Sequence, residues 1–185
     1  MEWIIGIIII VAIVAILFGM YNNLVRLRNA AKQFFAQIDV ELERRNDLVP
    51  NLVNTVKGYA SHEKEVLESV TQARQQLINL PQNATNEEKL AASDQLSGAL
   101  SRLLAVSESY PDLKANQNFL SLQEELTNTE NRISGSRQSY NRAVMNYNNK
   151  IQSVPHNLIA GMFGFDEMTY LEIPEAKREV PNVQF

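Results

Sequence analysis

Residues 3–21 read WIIGIIIIVAIVAILFGMY, a run of nineteen residues without a formal charge. A helix crosses a hydrocarbon core with about 20 apolar residues. Backbone in lipid must satisfy its own hydrogen bonds, so the run is expected to be helical despite its β-branched isoleucines. Trp3 and Tyr21 stand at its two ends, where amphipathic rings settle at headgroup level. A cleaved signal peptide would carry a basic start and a small-x-small cleavage site. Here the start is Met1-Glu2 and no such site follows Met20, which reads as a retained anchor. Arg26, Arg28 and Lys32 follow the run and only Glu2 precedes it. Positive charge favours the cytoplasmic side, so the N-terminus is expected outside and the larger part of the chain in the cytoplasm. No ionisable side chain interrupts the run, and Gly6 and Gly19 lie too far apart to form a close-packing pair. Its expected role is simple anchoring, with membrane lipid as its partner.

Beyond the anchor no glycine or proline intervenes until Pro50. Apolar residues recur at gaps of three and four: Leu27, Ala31, Phe34, Ile38, Leu42, then Val49, Leu52, Val56, Tyr59, and on through Val66, Val70, Ala73 and Leu77. Such a stripe predicts one helix running to about Asn79. The stripe is interrupted at Arg44-Arg45-Asn46-Asp47. Pro50 removes a backbone donor there, and a kink is favoured over a reversal because no glycine helps a tight turn. Leu80 to Ala84 is a loop, and Thr85 with Glu88 forms a capping-box signature opening a second helix to about Ser109. After a turn at Tyr110-Pro111-Asp112, a third helix is expected to Val154. Its stripe is Phe119, Leu122, Leu126, Thr129, Ile133, Ser136, Tyr140, Ala143, Tyr147, Ile151 and Val154, a coiled-coil-like seven-residue repeat that suits left-handed packing against partner helices. Residues 157–163 can form a short apolar helix. The whole reads as an all-α chain: an anchor at 1–21, an elongated antiparallel bundle of three long helices and a short C-terminal one at 22–165, and an extended or disordered tail at 166–185.

Chemistry is sparse. Cysteine is absent, the net charge is −4, and the histidines are His62 and His156. Thiolate metal sites and disulfides are thereby excluded, and nucleic acid is a poor partner for an acidic chain. His62-Glu63 begins like a zinc-protease helix, but Val66 stands where the second histidine belongs. No phosphate loop, dinucleotide fingerprint or nucleophile elbow is present. The expectation is a protein without catalytic residues, cofactor or metal.

Two segments remain as candidates for interaction. At 1.5 Å per residue a first helix from Asn22 to Asn79 would be about 87 Å long against about 36 Å for the second, so the stripe at Leu27, Phe34 and Ile38 is expected to lack a partner within the chain. An exposed stripe of that kind suggests self-association. Around Pro50, Arg44, Arg45, Asp47 and Asn51 form a polar notch that can meet another protein; Glu41 and Arg45 are spaced to pair, and Asp47 can cap a helix start. Tyr140-Asn141 and Tyr147-Asn148 repeat after seven residues on one face, which is read as hydrogen bonding between helices.

These segments carry a resemblance. Tyr21-Asn22, Ile38-Asp39-Val40, Arg44-Arg45, Asp47-Leu48-Val49-Pro50-Asn51-Leu52-Val53, Lys57-Gly58-Tyr59-Ala60, His62-Glu63 and Ala73-Arg74 are similar to the bacterial LemA family. Further on, Tyr140-Asn141, Tyr147-Asn148, Ile151, Pro155, Asn157, Ile159-Ala160 and Phe163-Gly164-Phe165 continue it. The resemblance implies a single-pass protein of the bacterial cell membrane with a cytoplasmic helical bundle, and it implies no enzyme. Family members are associated with membrane-embedded zinc proteases and with bacterial membrane compartments. The function expected is a self-associating membrane scaffold or adaptor, serving membrane organisation or membrane-protein quality control. The alternative is a tethered sensor that binds a small ligand in its bundle.

Overall fold

A computed structural model describes residues 1–172; the end of the expected tail, 173–185, lies outside them. The helices are α1 (Glu2–Lys57), α2 (Lys64–Ile78), α3 (Asn86–Ser107), α4 (Pro111–Lys114), α5 (Gln117–Gln152) and α6 (His156–Phe163). No strand occurs among the described residues. Two units are distinguished, one of residues 38–135, the other of residues 1–37 with 136 onward.

In the unit of residues 38–135 the first helix does not run to Asn79. It continues through Pro50, ends at Lys57, and the chain reverses over residues 58–63. Tyr59 and Ala60 donate their backbone N–H groups to the Val56 carbonyl at 3.0 and 2.8 Å, and Glu63 donates to Ala60 at 3.1 Å. Ala60 is buried at the turn. α2 then returns along α1, which brings Arg74 to Asn46. The stripe concealed this break because Tyr59 and Val66 stand seven residues apart, two helical turns, so the phase survives the reversal. Both helices present their stripes to one core made by Val49, Leu52, Val56, Leu67, Val70, Leu96, Leu103, Leu113 and Phe119. Where one kinked helix was expected there are two antiparallel ones.

The reversal explains how Pro50 sits inside a helix. Proline cannot donate to the carbonyl four residues earlier, which here belongs to Asn46. Arg74 Nε supplies that missing donor at 3.3 Å. Arg74→Met is therefore expected to cost about 1 kcal/mol in the natural chain and close to nothing in the Pro50→Ala background, where the new amide satisfies Asn46. A double-mutant cycle by thermal unfolding measures the difference, and equal costs in both backgrounds would refute the pairing.

The expected cap of the next helix is present: Thr85 Oγ1 accepts from the Glu88 N–H at 3.2 Å, and Glu88 Oε2 accepts from the Thr85 N–H at 2.7 Å. The turn after α3 holds the short α4, and Asn116 Oδ1 receives the Phe119 N–H at 3.0 Å to start α5. Two bonds tie this connection to the 58–63 reversal. Tyr110 donates its hydroxyl to Glu63 at 2.8 Å, and Asn116 donates to the Tyr59 hydroxyl at 2.9 Å. The Glu63 hydrogen bond, more than desolvation, raises the Tyr110 pKa above its ordinary value.

In the other unit, residues 2–37 of α1 hold the apolar run, and none of its most apolar stretch is buried. From Met20 onward the helix is covered on one side. Leu24 and Ala31 are fully buried, and Phe35 meets the Tyr140 ring edge-on at 5.7 Å. The stripe thought to lack a partner therefore has one within the chain. Leu27 and Phe34 are half-buried along a shallow groove with Ser139, Arg142, Ala143 and Asn146 of α5. Ile38, in the first unit, is completely buried. The reason is length: α5 spans 36 residues, so its second half reaches the membrane-proximal stripe that the shorter helices cannot. α5 stops at Gln152, and Val154 is exposed rather than part of the stripe. α6 closes at Gly164, whose φ of 67° is the left-handed conformation that glycine adopts without a Cβ clash.

Candidate functional site

Of the polar notch around Pro50, one member is internal. Arg45 is 2% exposed. It occupies the buried phase of α1, three residues after Leu42 and four before Val49, both core residues. Its guanidinium donates to Glu130 Oε2 at 2.9 Å, to the Ser93 carbonyl at 3.0 Å, and to the hydroxyls of Ser93 and Ser97. The ion pair expected with Glu41 is not the one formed: Glu41 lies 3.5 Å from Arg132, and Arg45 reaches α5 through Glu130. Asp39 takes a further contact from Lys89 at 2.9 Å. Asp39, Glu41 and Arg45 thus fasten α1 to α3 and α5.

The other members face outward. Arg44, Asp47 and Asn51, spaced three and four apart, are exposed on one side of α1, with Pro50 half-buried. Asp47 lies within continuous helix and starts none. An open groove of about 340 Å³ adjoins this region, lined by Asp39, Leu42, Glu43 and Asn46 of α1, by Leu80 and Pro81, and by Lys89. Its mixed walls and wide mouth suit a segment of another protein more than an enclosed small molecule.

The second site reaches a partner that the sequence did not indicate: Tyr140-Asn141 and Tyr147-Asn148 hydrogen-bond to the segment 166–172, laid along α5. Asn148 donates to the Met168 carbonyl at 2.8 Å and accepts from the Met168 N–H at 3.0 Å. Asn141 does the same with Leu171, at 2.9 and 2.8 Å. Tyr147 and Tyr140 donate to the carbonyls of Asp166 and Thr169 at 2.9 and 3.2 Å. The register follows from geometry. Seven helical residues rise about 10.5 Å and three extended residues about 10 Å, so two rungs on α5 meet every third residue of an antiparallel strand-like segment. Burial raises the Tyr147 pKa above its ordinary value; Arg28 works against this and Asp166 adds to it. The part of the expected tail that is described is thus tied down.

Trp3 is exposed at the start of the apolar run. Tyr21, at its end, meets the rings of Phe163 and Phe165 edge-on at 5.0 and 5.5 Å. Arg28 lies over the Phe165 ring at 4.8 Å, and Arg26 donates to Asn23 at 3.0 Å. Among the described residues no group of three or more His, Asp or Glu could hold a metal ion. His62 is exposed. Desolvation, with Lys150 second, lowers the His156 pKa.

An exposed apolar helix end, joined to helical packing and free of strands, defines the class: a membrane-associated, all-helical protein. Residues 34–185 match the model of the LemA family, and the chain belongs to that family. It is 27% identical to Protein LemA of Metamycoplasma hominis over 161 residues, 86% of this chain and 72% of that protein. It is 26% identical to magnetosome protein MamQ 2 of Paramagnetospirillum magneticum, covering 91% of this chain and 71% of the relative. Magnetosome protein MamQ of Magnetospirillum gryphiswaldense is 23% identical, with 90% and 70% covered.

Proposed function

We propose that the protein is a non-enzymatic membrane scaffold or adaptor that self-associates and engages other membrane proteins through the outer face of α1. The observation carrying this reading is the exposed row Arg44, Asp47 and Asn51 beside an open groove, on a helix whose opposite side is fastened inward by Arg45. Cores filled by apolar side chains favour an adaptor over a ligand sensor. Relatives named as magnetosome proteins support a part in organising membranes. The protease association that the LemA resemblance implies supports membrane-embedded partners of that kind. Residues 3–21 are read as the span, and the positive charges of Arg26, Arg28 and Lys32 after it support a cytoplasmic location for the helices that follow. Self-contact shifts from the Leu27–Phe34 stripe, which α5 covers, to the polar row.

The chain has no cysteine, so single cysteines can be introduced cleanly. Asn51→Cys in native membranes, treated with a bifunctional thiol reagent, is expected to yield dimers or adducts with a membrane protein, whereas Glu124→Cys on α5 yields neither. Monomer alone at both positions would overturn the adaptor reading.

A further inference from the structure

We propose that α6 lies in the membrane interface, with its Leu158–Met162 face immersed at the boundary between headgroups and acyl chains. The proposal rests on reading residues 3–21 as a span.

Between Ser153 and Phe165 the chain carries no Asp, Glu, Lys or Arg. A helix at a protein–water surface ordinarily shows a charged or polar side opposite its buried stripe. α6 has a buried side, Ile159 and Ala160, packed with Met20, Leu24, Tyr147, Ile151 and Phe165. On the opposite side Leu158 is 65% and Met162 76% exposed, and Asn157 is its exposed polar residue; Phe163, one turn after Ile159 at the edge of the packed side, is 56% exposed. Two residues before the helix, Val154 is 80% exposed. Water is a poor medium for so many large apolar side chains on so short a segment.

Lipid is the occupant that continuity selects. Phe18 and Tyr21 lie three residues apart on one side of α1, Phe18 is 65% exposed, and Phe163 stacks edge-on against Tyr21. The apolar surface at the last turn of the span therefore continues through Tyr21 to Phe163 at the end of α6. Tyr21 closes the apolar run and marks headgroup depth, which sets Phe163 at that depth too. The polar rim lies on the far side: Arg28 over Phe165, then Asp166 and Glu167. Interfacial helices bury their apolar side about 5–10 Å into the boundary layer, a depth that one face of a two-turn helix can fill.

Spin labels on single cysteines in the full-length chain, reconstituted in phospholipid vesicles, test this. Accessibility to oxygen reports lipid and accessibility to a nickel chelate reports water. Labels at Leu158→Cys and Met162→Cys are expected to favour oxygen, with nickel accessibility several-fold below that at Glu124→Cys and approaching that at Ile9→Cys in the span. Nickel accessibility equal to that at Glu124→Cys would overturn the proposal while leaving the span intact. Exclusion of both reagents would also overturn it, because protein would then cover the face. A nickel-accessible label at Ile9→Cys would remove the span, and α6 immersion with it.

Discussion

Arg45→Ala is expected to destabilise the unit of residues 38–135 by about 3 kcal/mol or more, a large share of what a domain of this size has to lose. Arg45 is almost wholly buried and holds acceptors on two other helices. Truncation takes the donor from the buried Ser93 hydroxyl, at about 1–3 kcal/mol, removes a second bond from the Ser93 carbonyl, which keeps its place in the helix ladder, and opens a cavity where the aliphatic stem packed. The loss of the ion pair itself contributes less, because the Glu130 side chain is 42% exposed and can turn to water. Changing the other partner separates these effects. Glu130→Gln keeps an oxygen for the guanidinium and should cost about 1 kcal/mol, while Glu130→Ala removes the carboxylate that balances a buried cation and should cost more, up to about 3 kcal/mol. Hydrogen exchange of α3 amides in the detergent-solubilised chain reads these losses. A 3 kcal/mol destabilisation appears as roughly 100-fold faster exchange. If Arg45→Ala exchanged within a few-fold of the natural chain, Arg45 would not be the tie that its geometry indicates.

Arg45 also shows where sequence reading reaches its limit. The anchor, the Thr85–Glu88 cap and the seven-residue stripe of α5 could be read because each depends on neighbours within a few turns. A charged residue in that stripe's phase reads as an interruption, and the short spacing to Glu41 offers a nearer partner than Glu130 does. The signal was present in the spacing Leu42, Arg45, Val49, Leu52, which keeps gaps of three and four with arginine in a core position. The reversal at 58–63 was hidden for the opposite reason: nothing interrupted the period. Its trace lies in the pairing of Pro50 with Arg74, a link between a missing donor and a distant side chain that no local window contains. Of the notch read around Pro50, Arg44, Asp47 and Asn51 do face outward, while Arg45 turns inward.

The Tyr-Asn repeat was visible, but its partner was not, because it grips backbone and leaves no side-chain pattern in the segment it holds. Removing it should free that segment. Asn141→Ala with Asn148→Ala deletes four hydrogen bonds to Met168 and Leu171, worth about 1 kcal/mol each after exchange with water. The Met168 and Leu171 amides are then expected to exchange on the order of 100- to 1,000-fold faster, with α5 itself little changed. Asn148→Asp is a sharper probe, since it keeps shape and acceptor but turns a lone pair, in place of a donor, towards the Met168 carbonyl. It should release the segment at least as fully as Asn148→Ala, while the exposed Asn149→Ala should do nothing. Alkali gives an independent check. Burial holds the Tyr147 pKa above its ordinary value, so its hydroxyl still donates to Asp166 when an unfolded tyrosine would have lost its proton. The stability tied to that proton is complete below about pH 10 and disappears as pH rises through the folded-state value. Tyr147→Phe should weaken the hold by about 1 kcal/mol at neutral pH and remove that part of its alkaline loss. Unchanged exchange at Met168 in the double asparagine variant would mean that the segment is held by the burial of Leu171 and Phe165, with the amide rungs contributing only register.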